Sequence, residues 1–298
     1  FQMKGIITII KIFAFLFVVA VIGALVLFLN KFQEDFSDPK AVSQKPLQDI
    51  IEENEQINFE AGQYEFNRAL ELIALGDIEE AKEKLNLIEN LYPDSNHSPE
   101  ARRILGEINL DEILSIENMG NKRIHRVSPG EGYLKIATQN QTTLDSIMFL
   151  NGLTEFANLH SGDELVIMPL DFKLLINLPK MRVELFYRDQ EKKEHVFAKD
   201  YPIRKLELGR VSRGHHQARI SRKHGYLEGT TYPPTHQSYR HASKVLGLKV
   251  GRSMIQLRPL SGDENLDSGS GVFLTPSDME ELSMLIRVGN EVEVRITR

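Results

Sequence analysis

The sequence predicts a multidomain α+β protein: an amino-terminal transmembrane helix, a helical hairpin, a strand–helix–helix–strand (βααβ) module and a mainly-β carboxy-terminal domain. Three observations carry this. Residues Ile12 to Leu29 hold no charge, apolar residues recur at helical spacing between Tyr64 and Leu114, and short alternating runs begin after Phe172. At 298 residues the chain exceeds one typical domain. With 41% hydrophobic and 26% charged residues it has ordinary globular usage, which sets aside wholesale disorder. There is no cysteine, so disulfides, thiolate metal sites, a cysteine nucleophile and a lipid-modified amino-terminal Cys are all excluded.

The first element is an anchor over residues 5–30. Its uncharged run is apolar all round, where a core helix would show a polar face, and it reaches about 27 Å at the helical rise per residue. The run is longer than a typical signal-peptide core and no small-x-small cleavage site follows it, so an uncleaved anchor is expected rather than a removed leader. Lys4 and Lys11 precede the run, and Glu34, Asp35 and Asp38 follow it, which places the amino terminus on the cytoplasmic side. The expected location is a bacterial inner (cytoplasmic) membrane, crossed once, with the bulk of the chain in the periplasm or cell-wall space.

Residues 31–46 read as a polar, proline-bearing linker, and 47–120 as an acidic helical region. Ala69, Leu72 and Leu75 lie on one helical face. Gly76-Asp77 turns the chain, and Ile78, Ala81, Leu85 and Ile88 continue on a second helix before Pro93. Ser98 to Leu114 has the length to start another unit. The spacing of Ala69, Leu72, Gly76, Ala81, Leu85 and Pro93 resembles a tetratricopeptide repeat, which implies a protein-docking surface on helices 64–114. From Glu34 to Gly120 there are 21 acidic and 7 basic residues, read as a solvated face with no ligand.

Residues 124–170 form the βααβ module. His125-Arg126-Val127 is a strand, Ser128-Pro129-Gly130-Glu131 a turn, and Tyr133 to Ala137 opens a helix. Leu144 to Asn151 is a second helix, and Leu165 to Met168 a closing strand before Pro169. Four motifs occur in order: Val127-x-Pro129-Gly130-Glu131, Lys135-Ile136-Ala137, the stretch from Ile147 to Leu153, and Leu159-x-x-Gly162-Asp163-x-Leu165-x-Ile167-x-Pro169. This stretch resembles the LysM family. The resemblance implies binding of N-acetylglucosamine-containing glycans, peptidoglycan or chitin, in a shallow groove between the loop after the first strand and the loop before the second. The matching positions are Glu131, Gly132, Tyr133 and Leu134 on one side and Leu153, Thr154, Leu159 and Ser161 on the other. Gly132 and Tyr133 stand where the family usually has Thr-Leu.

Residues 172–298 read as mainly β. Leu174 to Leu178, Arg182 to Tyr187, Val196 to Ile203 and Met254 to Leu257 are strands. Thr275-Pro276-Ser277-Asp278 caps a helix over Met279 to Leu285, and Glu291 to Ile296 is the final strand. Leu274, Asp278, Glu281, Leu282, Val288, Gly289 and Val292 resemble the ending of the L,D-transpeptidase (YkuD-like) catalytic domain. That family carries Ser-His-Gly-Cys-Ile-Arg-Leu before this ending, and on this chain its histidine falls on Gly269, its cysteine on Gly271 and its arginine on Phe273. Its upstream histidine falls near Gln256. Neither thiolate nor histidine is present, so the expectation is a pseudoenzyme with no catalytic residue, no cofactor and no metal site. Ser270 has no histidine close in sequence to activate it.

From Lys199 to Arg258 there are 13 Lys or Arg against Asp200, Glu207 and Glu228, with His215, His216, His224, His236 and His241. This reads as an irregular, solvated basic loop, the contrasting reading being attraction to a polyanion. The histidine spacing fits no metal pattern, and no nucleic-acid module matches, so no nucleic acid is expected as a partner. The expected function is a membrane-anchored envelope protein that binds peptidoglycan glycan strands, with its transpeptidase-like domain used for binding or scaffolding. Two contrasting readings are an active peptidoglycan transpeptidase or hydrolase with a displaced site, and a protein-interaction scaffold acting through the helices.

Overall fold

The computed structural model describes residues 60–296 except 157, 190–192, 210, 261 and 263–268. The anchor, the linker and residues 47–59 of the acidic region lie outside the described residues. Among the described residues no helix is long and apolar enough to cross a membrane. What is described is a mixed α+β unit whose carboxy-terminal part is a large curled sheet.

Three helices come first: α1 (Gln63–Leu75), α2 (Ile78–Leu91) and α3 (Ser98–Leu114). Gly76, at φ 86°, closes α1 with its N–H on Ile73 O, a left-handed conformation that glycine adopts without Cβ strain. Ala69, Leu85, Ile88, Ala101 and Leu105 make the core among the three, the small residues sitting where helices approach. The sequence places Ser98 to Leu114 only as the opening of a further unit. It completes a three-helix layer.

The module follows as β1 (Arg123–Arg126), α4 (Tyr133–Gln139), α5 (Leu144–Leu150) and β2 (Glu164–Ile167), with β1 and β2 antiparallel. Val127, Ile136, Ala137, Ile147, Leu165 and Ile167 form its core. Thr143 caps α5 by accepting from Ser146 N at 3.1 Å.

The remaining strands are β3 (Phe172–Asn177), β4 (Arg182–Arg188), β5 (His195–Pro202), β6 (Lys205–Glu207), β7 (Gly214–Leu227), β8 (Thr230–Tyr232), β9 (Ser243–Val250), β10 (Ser253–Pro259), β11 (Gly271–Leu274) and β12 (Glu291–Ile296). Helix α6 (Pro276–Leu285) precedes the last, and a 3-10 turn (Gln237–His241) precedes β9. The sheet order is β5-β4-β3-β12-β7-β9-β10-β11-β6, with β8 paired to β7. β12 runs parallel to β3 and β11 parallel to β10, and the other pairs are antiparallel. Alternate residues such as Leu174, Ile176, Leu246, Leu248, Leu257 and Val292 bury one sheet face around α6, whose Met279 and Leu282 are buried. Leu110 of α3 and Leu150 of α5 enter the same core, so helices, module and sheet share apolar contacts.

Three expectations differ from the structure. Helix α6 starts at Pro276 rather than Met279, because Thr275 Oγ1 accepts from Asp278 N at 3.1 Å and proline suits a helix's first position. The basic stretch is no irregular solvated loop: much of it is strands β5 to β10, and Lys199, Lys223 and Lys244 are buried. The acidic face of α3 is likewise partly engaged: Glu107 pairs with Lys199 at 2.6 Å.

Candidate functional site

The two loops at one end of the module are tied together by backbone bonds. Val127 N donates to Asp163 O and Gly162 N to Val127 O, each at 2.8 Å, and His160 N donates to Asp163 Oδ2 at 2.7 Å. These bonds bring the stretch after β1 against the stretch before β2. Tyr133, half-buried at the start of α4, packs its ring 4.7 Å from that of Phe156. Burial and then Asp163 raise its phenol above the ordinary tyrosine range.

The eight residues predicted for the groove divide by role. Gly132 is exposed in an extended conformation before α4, Leu134 is 55% exposed, and Thr154 and Ser161 are exposed. Leu153 is half-buried, its N–H donating to Met148 O at 2.9 Å. Leu159 packs on the module core. Glu131 turns back on its own loop: Oε2 accepts from Ser128 N at 2.9 Å and lies 3.0 Å from His125 Nε2. The Ser128 N–H, then His125, hold that carboxyl below the usual carboxylate range. Glu131 therefore shapes the turn, Tyr133 packs partly on the module core, and Leu134 and Thr154 are exposed.

Two residues beside these loops escaped the sequence. Phe156 is an aromatic residue on the second loop, 40% exposed, and its position between Gly152 and Gly162 was the available signal. Arg240 has no local signal, because it arrives from the 3-10 turn of the β domain. Its Nη1 donates to Thr154 O at 3.1 Å, its Nη2 to Met148 Sδ at 3.1 Å, and its guanidinium lies 4.4 Å from the Phe156 ring centre. Below it sits a charged cluster: Lys223 Nζ donates to Asp145 Oδ2 at 3.2 Å and Ser283 O at 2.5 Å, and Lys244 Nζ lies 3.2 Å from Glu280 Oε2. Burial pushes the Lys223 ammonium below the ordinary lysine range, and Asp145 acts against that shift.

Of the positions expected to match transpeptidase residues, Gln256, Gly271 and Phe273 lie on the sheet face opposite the core and Gly269 in the bend before β11. Gly271 opens β11. A Cβ placed there would lie 3.0 Å from Arg258 Cδ and 3.1 Å from the Gln256 backbone oxygen, so the Arg258 stem occupies the space where a side chain would begin. Gly269, at φ 89°, has Arg258 Nη1 at 3.4 Å from its would-be Cβ. Phe273 is fully buried, with the Arg258 and Lys205 cations 5.6 and 5.2 Å from its ring centre. Gln256 alternates with buried Ile255 and Leu257 on β10 and so shares this face. Ser270 Oγ accepts from Gly209 N at 3.0 Å. His224, on β7, has a pKa lowered by burial and then by Arg222 and Arg258. The other four histidines of the basic stretch lie on β7 (His215, His216) and at the 3-10 turn (His236, His241), and among the described residues no three metal-ligating side chains gather.

No family model matches the chain, and no curated protein does. Among solved structures it is similar to a fused zinc-dependent amidase/peptidase and peptidoglycan-binding domain-containing protein from Clostridium acetobutylicum, at 9% identity and TM-score 0.28, covering 42% of this chain and 51% of that one. The Bdellovibrio bacteriovorus protein Bd1075 is 12% identical at TM-score 0.31, with 43% of this chain and 48% of that one covered. Mycobacterium tuberculosis L,D-transpeptidase 1 is 12% identical at TM-score 0.26, covering 42% and 61%. The chain spans about half the length of these structures, and at such TM-scores the likenesses carry no argument of their own.

Proposed function

We propose that this chain is a membrane-anchored cell-envelope protein that binds peptidoglycan glycan through the groove of its βααβ module, and that its L,D-transpeptidase-like β domain serves binding or scaffolding without catalysis. The observation that carries the reading is the pairing of the half-buried Tyr133 ring with the exposed Phe156 ring, beside exposed Leu134 and Thr154, at the end of the module where the two loops are joined. An aromatic pair open to solvent on one side suits an N-acetylated sugar, whose apolar ring face packs on an aromatic. In a sedimentation assay with purified sacculi, the detergent-solubilised full chain is expected to pellet, and Tyr133→Ala with Phe156→Ala to stay in the supernatant. Undiminished pelleting of that double variant overturns the groove.

The non-catalytic reading is supported by the absent cysteine and by the Arg258 stem beside Gly271. Incubation of the purified chain with peptidoglycan is expected to leave the muropeptide profile unchanged. Gly271→Cys is expected to leave it unchanged as well, because Gly269 and Gln256 supply no imidazole to manage the thiol proton. New 3-3 crosslinks or cleaved stems formed by the unaltered chain count against this reading. The anchor over Ile12 to Leu29 and the export of everything after it belong to the same proposal. Protease added to intact spheroplasts is expected to digest residues 60–296, and full protection of that region sets the topology aside.

A further inference from the structure

The loops that carry the groove continue into the β domain. From Tyr133 to Phe156 is 4.7 Å between rings, and from Phe156 to the Arg240 guanidinium is 4.4 Å, so three flat groups succeed one another across the junction. Beyond Phe156 opens a cleft of about 290 Å³, walled by Leu144, Glu155 and Phe156 of the module and by Thr235, His236 and Arg240 of the β domain. This is the space of roughly one or two sugar rings at the low end of small-molecule sites.

Arg240 is the group in that cleft whose charge is unanswered. It is half-buried, and its contacts are a carbonyl, a thioether and a ring face, all uncharged. Among the described residues no carboxylate pairs with it. The neighbouring cations differ: Lys223 has Asp145 and Lys244 has Glu280. Two acids do line the cleft, but Asp145 is held by Lys223 at 3.2 Å, and Glu155 is exposed on the rim. A guanidinium carries five N–H donors in a fork that matches a carboxylate, and only two are described as used here.

We propose that the glycan groove is one half of a composite site whose other half is the cleft at Arg240, and that the ligand is a carboxylate-bearing glycan strand, peptidoglycan, rather than a neutral polymer of N-acetylglucosamine. This rests on the glycan-binding reading above and sharpens it. The sugar face packs on Tyr133 and Phe156, and a lactyl or stem-peptide carboxylate, projecting sideways from the same strand, meets Arg240.

The test is calorimetric titration of the full chain in detergent with three probes: chitotetraose, a disaccharide-peptide fragment released from sacculi, and that fragment with its carboxylates converted to amides. One desolvated charge-assisted pair corresponds to about tenfold in affinity. The acidic fragment is expected to bind about tenfold tighter than its amidated form, with the gap narrowing at high salt. Arg240→Gln is expected to erase the gap, and Arg240→Lys to keep part of it, while Tyr133→Ala weakens all three probes. Equal affinity for acidic and amidated fragments overturns the composite site and leaves the groove standing. Failure of all three probes to bind overturns the groove itself. If Arg240→Gln weakens acidic and amidated fragments alike, Arg240 only braces Thr154 and the carboxylate role is wrong.

Discussion

The Glu131 carboxylate is held below its ordinary pKa by the Ser128 N–H and His125, so its contribution to stability has a definite pH window. A depressed acid stabilises fully above its unfolded value, about 4.3, and that stability is lost as pH falls through the folded value. In urea melts, Glu131→Gln is therefore expected to lower the midpoint at pH 7 and to converge on the unaltered chain as the pH drops below about 4. A gap that does not narrow as the pH is lowered through the acidic range counts against the turn-capping role. Gly271 makes the opposite kind of demand, since any Cβ there meets a peptide oxygen and the Arg258 stem. Gly271→Ala is expected to cost about 1–3 kcal/mol by overpacking, read as a lowered melting temperature, and an unchanged melt would show that β10 yields. Single positions were legible in the sequence when their role is local. Gly130 and Glu131 sit in a turn whose partners lie within six residues, so the motif announces them. Phe156 and Arg240 acquire their roles from each other across 84 positions of chain, and no local pattern encodes that.

At the scale of elements, the helices and the β3–β4 hairpin announced themselves through apolar period, caps and turn residues: Gly76 ends α1, Thr275 starts α6, and the Pro179-Lys180 turn joins β3 to β4, whereas β8 and β9 fell inside the stretch read as a loop. So did strand β7. Its outward face is Arg and His, its inward face includes Lys223 instead of an apolar residue, and a bulge between Ile220 and Arg222 shifts the alternation midway. A buried lysine in a strand looks like surface to any pattern based on hydropathy. Physically it is a fastener, because the Lys223 ammonium joins β7 to α5 through Asp145 and to α6 through Ser283 O. Removing Asp145 strands a buried cation, which costs more than the pair itself contributes. Asp145→Ala is expected to lose about 3 kcal/mol in chemical denaturation, and Lys223→Met combined with Asp145→Leu to recover most of that. Additive losses in the double variant would show that the two side chains do not act as a pair.

Over the whole molecule, the boundaries suggested by composition are not boundaries of packing. Arg102 of α3 reaches Glu89 at 2.9 Å on α2 and Glu184 at 2.7 Å on β4, and its guanidinium covers the Phe197 ring at 4.0 Å. Lys199 of β5 bridges Glu107 of α3 and Glu281 of α6, at 2.6 and 2.9 Å. Leu110 is buried in the sheet core, with Ile113 and Leu114 packed against it. Charges of both signs thus cross the junction: a helix arginine meets carboxylates of the sheet, and a sheet lysine meets a carboxylate of the helices. Exposed ion pairs contribute little, but of these groups only Glu107 is exposed; the others are half-buried or buried and sit over shared apolar contacts, which couples the helices to the sheet. Calorimetry of the full chain in detergent is expected to show residues 60–296 melting in one transition. Arg102→Ala is expected to move that whole transition down, by several degrees for a loss of 1–2 kcal/mol, without splitting it. A second, unmoved transition belonging to the β domain would mean that the helices fold on their own, and that the junction orients them without stabilising the sheet.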